Sequence, residues 1–350
     1  IDSNLVNYST ETLENDIGYN YYNDEKNLLF TSKASTFRTL QDSYNDKYEH
    51  IIPDLSLKKS LFNDLGYGDF ETNIKIHNYD TNKYKKHLIN NFDWTFKSKP
   101  VSWFKGNFLA NLKNVNYEHK NVKNYKPEKT TELFGAIGYL ASLDLYKSAN
   151  KNTKELLTPK MLIRYAPNHM KKDTSGDFNL SKKNIFSLDR LQANDNYESG
   201  ANLTVGLDYQ KTINDKKYNF SLGQIINEKK TNKKMPSSSS LDKRFSDIVG
   251  SFNFKSNSFN LDYNYMIDQN YEKLNFNEMS ASYDANKIKF NLNYLEENNS
   301  STENEYLKTS IEVMRGESGL FTFSNKRNLI TDSSEFYDLS YEYINDCLRA

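Results

Sequence analysis

The chain has 350 residues, 46 basic against 46 acidic side chains, a single cysteine and a hydrophobic share of only 37%, with a mean hydropathy of −0.84. Balanced charge argues against a dedicated nucleic-acid surface, which carries a basic excess, and a soluble α/β enzyme of this length would hold more Ala, Leu, Val and Gly. Aromatic residues make up 14% of the chain and fall on alternating positions, which argues against disorder.

Two weaker strand candidates open the chain at 17–22 and 28–40, followed by 51–61, 70–77 and 87–96. Residues 103–117 come next, then 133–146, an apolar run containing Gly135 and Gly138, then 156–166. From 169 to 199 the alternation lapses into polar, turn-rich sequence with one apolar island at 185–191. Strands resume at 201–209 and 218–226, and residues 228–245 form a second long loop, rich in Lys and then in Ser. The clearest stretch lies beyond it. Phe259, Leu261, Tyr263, Tyr265 and Ile267 occupy odd positions between polar neighbours, preceded by 248–254 and followed by 274–283 and 288–294. Candidates at 306–313, 320–324 and 336–343 complete the series. Strand side chains point alternately to opposite faces, so each run carries one apolar and one polar face; at helical period the same residues would scatter around the cylinder.

The sum is about seventeen strands of roughly ten residues, the length that crosses a bilayer. A sandwich or jelly roll would use shorter strands and more punctuation than 13 Gly and 6 Pro supply. Lipid offers no partner to an unpaired backbone group, so such strands must pair with one another around a closed wall. The expected fold is all-β: a large antiparallel transmembrane β-barrel, greasy outside and wet inside. Which alternate face meets lipid stays open at this level.

No catalytic, cofactor or metal constellation is expected. The five histidines, His50, His77, His87, His119 and His169, are scattered, and no zincin, phosphate-loop or nucleophile-elbow motif occurs. Cys347 has no cysteine to pair with in the chain, so it is a free thiol or half of a disulfide completed elsewhere. Asp189 and Arg190 lie in the island of the first long loop; they either pair and fold that loop over the lumen or form a solvated pair worth ~0–1 kcal/mol. Pro159 and Pro167 read as strand-start and loop markers. The Lys-rich segment 228–235 either meets anionic lipid phosphates or is a solvated loop.

Leu157-Thr-Pro159-Lys-Met-Leu-Ile-Arg164-Tyr165-Ala-Pro167-Asn168 resembles the "L-x-P-[RK]…Y-x-P" strand of the LptD (OstA, Imp) family of outer-membrane lipopolysaccharide-assembly proteins. Downstream, 185–191 with Asp189 and Arg190, 200–209, and 218–225 with Gly223 and Gln224 are similar to the family's following segments. Residues 336–347 resemble its strand carrying a C-terminal cysteine. Order and spacing agree from about residue 51 onward. The resemblance implies a barrel of about 26 strands preceded by a periplasmic β-jellyroll domain. It also implies an LptE-like lipoprotein plug, and an LptA-like periplasmic bridge that delivers lipopolysaccharide. The lipid would leave for the outer leaflet through a lateral seam between first and last strands. Residues 1–350 then read as a partial barrel domain, beginning at Ile1 rather than Met, with the jellyroll and the first and last strands elsewhere. Cys347 would bond to the absent periplasmic domain; the family often carries two adjacent cysteines there, whereas Asp346 and Leu348 flank this one. Competing expectations are another outer-membrane barrel, a porin or plugged receptor for small solutes, and a surface-anchored β-rich adhesion module.

Overall fold

The computed structural model describes residues 12–40, 45–97, 104–122, 128–150, 152–167, 178–191, 197–228, 235, 237–298, 303–316 and 318–343. Alternating sequence becomes strand throughout: β1 (Thr12–Asn23), β2 (Leu28–Thr39), β3 (Tyr48–Asn63), β4 (Gly66–Tyr79), β5 (Tyr84–Phe96), β6 (Lys105–Lys120), β7 (Thr130–Ser142), β8 (Leu145–Asn150) and β9 (Thr153–Ala166). After the first long loop come β10 (Gly200–Ile213) and β11 (Lys216–Asn227), then, beyond a single 3-10 turn at Ser237–Ser239, β12 (Ile248–Lys255) and β13 (Phe259–Ile267). The series ends with β14 (Leu274–Asp284), β15 (Ile288–Glu297), β16 (Asn304–Arg315), β17 (Gly319–Asn328) and β18 (Ser333–Tyr343).

All strands join one antiparallel sheet in which each pairs with its sequence neighbours, from β1–β2 to β17–β18. The exception is informative. β7 and β8 both pair with β9, at Ser142↔Lys160 and Leu145↔Leu157, so they are two pieces of one strand broken at Leu143–Asp144. Pro159 faces the break. Leu143 N–H donates to the Pro159 carbonyl at 3.1 Å, and because a strand residue's N and O point to the same neighbour, the donor that proline lacks is missing at this gap. Counted so, the described residues form a wall of seventeen strands. Pro159 is thus interior to a strand, correcting its reading as a strand start, whereas Pro167 follows the last residue of β9. Among the described residues no register joins β1 to β18.

Connections alternate in length. On one end the links β1–β2, β3–β4, β8–β9, β10–β11, β12–β13, β14–β15 and β16–β17 take two to four residues, with eight between β5 and β6; on the other they run from four to thirty-three. Short turns on one side and long loops on the other are the habit of bacterial outer-membrane barrels, whose long loops face outward from the cell.

Register decides the faces. On β9–β10, Arg164 pairs with Asn202 and Leu162 with Thr204, and all four are buried beneath the first long loop. Carried from strand to strand, this face holds Asn111 and Lys113 on β6, Asp93 on β5, Ser221 on β11, Asn264 on β13, Asn293 on β15 and Lys308 on β16. The opposite face holds Ile137, Ile163, Val205, Phe252, Tyr263, Leu292 and Phe323. The polar face is concave. Asp189 reaches Lys113 on β6 while Asn179 reaches Glu297 on β15. Eight inter-strand steps would span about 38 Å if flat, and ten residues reach about 35 Å only when fully extended; this segment instead turns at 182–186.

Outward rings gather toward the short-turn end. Phe108 and Tyr139 lie 4.8 Å apart, Tyr218 and Phe254 4.8 Å, Phe321 and Tyr341 4.6 Å, an arrangement suited to the lipid–water interface. The Tyr265 ring lies so close over Gly250 that any Cβ there would overlap it. Among the described residues no helix is long and apolar enough to cross a membrane, which says nothing about crossing by strands.

At the long-loop end Asp46 clamps two adjacent turns. It accepts from Lys83 Nζ at 2.5 Å, from Thr81 N at 3.2 Å and from the Thr81 hydroxyl. Burial opposes ionisation, but the Lys83 and Thr81 hydrogen bonds outweigh it and hold the carboxyl below the ordinary aspartate value. A depressed folded pKa gives stability that is present above the unfolded value and lost as pH falls through the folded one. Melting of the folded protein against pH is therefore expected to show a loss below about pH 4 that is smaller in Asp46→Asn; superimposable profiles would contradict the clamp.

Candidate functional site

The site is the concave face together with the loop lying on it. Its floor carries three glycines, two of them at positions where a Cβ would overlap a neighbour. Gly138, Gly206 and Gly223 face inward on β7, β10 and β11; Leu188 occupies the space of a Cβ at Gly138, the Leu222 carbonyl and Phe186 that at Gly206, and Ile185 lies close against Gly223. The island 185–191 is apolar because it is pressed onto this floor. Leu180, Ile185 and Leu191 join Ile225, Val249, Met266, Phe276 and Leu295 in one buried cluster; Leu188 and Tyr197 join Val115, Phe134 and Leu162 in another. At Gly223 a Cβ would stand 3.0 Å from Ile185 Cδ1, the far end of a flexible side chain. Gly223→Ala should be tolerated, whereas Gly223→Val overpacks the contact by about 1–3 kcal/mol. Faster proteolytic cleavage within 178–191 in the Val variant alone is the expected result.

Between the two clusters lies a buried polar network. Lys113 Nζ sits 2.9 Å from Asp189 Oδ2. Arg190 donates from Nη1 to Glu198 Oε2 at 2.6 Å, from Nη2 to Thr204 Oγ1 at 2.8 Å and Asn202 Oδ1 at 3.1 Å, and from Nε to the Ile185 carbonyl at 3.1 Å. Arg164 donates from Nε to the Leu188 carbonyl and from Nη2 to the Glu198 carbonyl, both at 2.6 Å. The Tyr197 hydroxyl donates to Asn111 Oδ1 at 2.6 Å, and Asn111 passes on to Asp93 at 2.8 Å. Arg164, Arg190 and Lys113 are balanced by Asp189, Glu198 and Asp93. Arg164 and Arg190 are each only 1% exposed. Burial pushes the Arg190 guanidinium down and Glu198 opposes it; burial raises the Tyr197 phenol, with Asp189 and Asp93 adding to the effect, so it remains a neutral donor.

Asp189 and Arg190 therefore do not pair with each other, and neither is solvated. Adjacent residues on an irregular loop point apart, so each finds a separate partner on the wall or the loop's return limb. Of the sequence-selected residues the structure brings together Arg164, Asp189, Arg190 and Gly223. Tyr165 points outward, Pro159 faces the β7/β8 break, and Gln224 donates to the Ser246 carbonyl at 2.9 Å. Cys347 lies outside the described residues, as do 229–234 of the Lys-rich segment. Sequence reasoning missed Lys113, Tyr197, Glu198, Asn202 and Thr204. Each is an ordinary polar residue whose partner lies elsewhere in the chain, and only inward parity on β6 and β10 marked three of them.

The second long loop braces the first. Phe178 N–H donates to Ser238 Oγ at 2.9 Å, and Asp247 accepts from Asn275 at 2.6 Å and Lys243 at 3.1 Å. Beside Leu188 and Asp189 a cleft of about 520 Å³ opens toward β3–β6, lined among others by Lys58, Asp69, Glu71, Asn73 and Asp93. Among the described residues no group of His, Cys, Asp or Glu could hold a metal ion. The arrangement offers a polar, charged passage wall and an inserted segment that narrows it. The family model for LptD, LPS transport system D, matches residues 1–328. Comparison with the curated proteins finds no match.

Proposed function

The chain belongs to the LptD family, LPS transport system D, a component of lipopolysaccharide transport and assembly at the outer membrane, and we propose that its concave face is the wall along which the sugar and phosphate part of the lipid travels. One observation carries this reading: Asp93, Asn111, Lys113, Arg164, Asn202, Asn264 and Asn293 all face inward, while Ile137, Ile163, Val205, Phe252, Tyr263 and Leu292 face outward, with a polar outward patch on β5–β6 around Asn90 and Asn114. A hydrated headgroup is stable only against the first and acyl chains only against the second. Acyl chains would then leave laterally through a seam, with no bond made or broken. An LptE-like lipoprotein fits the remaining lumen as a plug, and an LptA-like bridge feeds it through a domain outside residues 1–350, tied to the barrel by Cys347. Photo-crosslinkers at inward Asn73 and Asn91 and at outward Ile137 and Val205 of the full-length protein test the route. Lipopolysaccharide adducts in transporting cells are expected at the inward pair; adducts at the outward pair alone would overturn it.

A further inference from the structure

A second feature lies on the other side of the wall. Near the long-loop end of β4–β7 a groove of about 360 Å³ opens on the outward face. Its lower part is aliphatic on β4 and β5, where Ile74 lies opposite Leu88 and Ile76 opposite Lys86, and is bordered on β6 and β7 by Asn116 and Thr131, which hydrogen-bond each other. Its rim is cationic. Lys86 and Lys129 share one carboxylate, Glu118, at 3.8 and 4.0 Å, and that carboxylate already accepts the Tyr84 hydroxyl at 2.6 Å. Lys129 is extended into solvent, and Lys86 lies 4.7 Å over the Tyr84 ring. Two ammonium groups against one carboxylate leave a net positive rim, flanked by the Tyr84 ring on its loop side.

The vertical order matters. Lys86 lies two residues inside the start of β5 and Lys129 immediately precedes β7, whereas Leu88 and Ile74 lie deeper toward the middle of the strands. With long loops facing out of the cell, cations stand at the headgroup level of the outer leaflet and the aliphatic floor at its acyl level. We infer that this groove is an outer-wall docking site for a phosphate-bearing, acylated lipid of the outer leaflet, its phosphate between Lys86 and Lys129 and one acyl chain along Ile74, Ile76 and Leu88. Free phosphate would satisfy the lysines but leave the aliphatic floor to water, and a zwitterionic lipid would cover the floor but bring its own cation to the rim. Only the anionic amphiphile matches both halves.

The site rests on the outer-membrane orientation and not on the lumenal route, so its test is independent of transport. Full-length protein carrying a spin label at Thr131→Cys, in the groove's β7 wall, is placed in nanodiscs of phosphatidylethanolamine doped with either lipid A or its dephosphorylated form. Nitroxide mobility and lipid retained through purification are read for the parent and for Lys86→Gln/Lys129→Gln. Several-fold enrichment and immobilisation with phosphorylated lipid A, lost in the double variant and not competed by inorganic phosphate, is the expected result. Equal occupancy by both lipids, retention in the double variant, or full competition by phosphate would each overturn the proposal. Lys120→Gln, outside the groove and bonded to Asn82, controls for surface charge. A folded barrel that labels normally but shows no lipid preference fails this inference while leaving the lumenal reading intact.

Discussion

Arg190→Ala is expected to release the inserted loop and open the lumen. The substitution takes from the buried Glu198 carboxylate its Arg190 ion-pair partner and strips Thr204 and Asn202 of a shared donor. Removing one member of a buried pair costs about 3–5 kcal/mol, which shifts the loop's local opening equilibrium toward the open state. Glu198→Gln should act in the same direction. Arg164 and Arg190 then lie side by side without their intervening carboxylate, in a place where burial already disfavours the Arg190 charge. Replacing Arg190 and Glu198 together by leucine removes both charges and should cost less than either single change. Single-channel conductance of the full-length protein in planar bilayers, with proteolysis of residues 178–191 alongside, reads the effect. Unchanged conductance and cleavage in both single variants would mean that the apolar seats of Ile185 and Leu188, not the ion pair, hold the loop.

A charge on the outward face should be tolerated far less than one on the inward face of the same wall. Val205 opposes Met161 across β9–β10, and both side chains look outward. Val205→Arg places a guanidinium in hydrocarbon, at a cost of about 2–4 kcal/mol near the bilayer midplane. Asn293→Lys adds a cation on the concave face, where Asn293 already lies opposite Lys308 and Ser280, and should change stability by well under a kcal/mol in a hydrated lumen. Refolding yield into lipid vesicles, scored by heat-modifiable gel mobility, separates the two. Equal losses, or a larger loss for Asn293→Lys, would reverse the assignment of faces.

Much of the wall was legible because a strand's period is local. The alternation of Phe259, Leu261, Tyr263, Tyr265 and Ile267 needs no distant partner to be read, and β13 occupies the same residues. The run 133–146 shows where that reading stops: its hydropathy is continuous, yet the ladder breaks at Leu143–Asp144 because the neighbour opposite is Pro159. The family match takes in the first fifty residues, where the resemblance was weakest, and ends at 328, before the strand leading to Cys347.

The loops obeyed no such local rule. A polar, turn-rich stretch is ordinarily solvent-exposed, and nothing adjacent to Asp189 and Arg190 says otherwise. Their burial follows from Lys113, 76 residues earlier, and from three glycines on three different strands that leave room for Ile185, Phe186 and Leu188.

Sequence alone determined an all-β wall of alternating strands and their number, since each is a property of neighbouring residues. Only tertiary structure decided which of the two faces is concave, and which buried charges meet. Facing is common to all strands at once, and a buried ion pair exists only where the curved sheet brings remote residues within hydrogen-bonding reach.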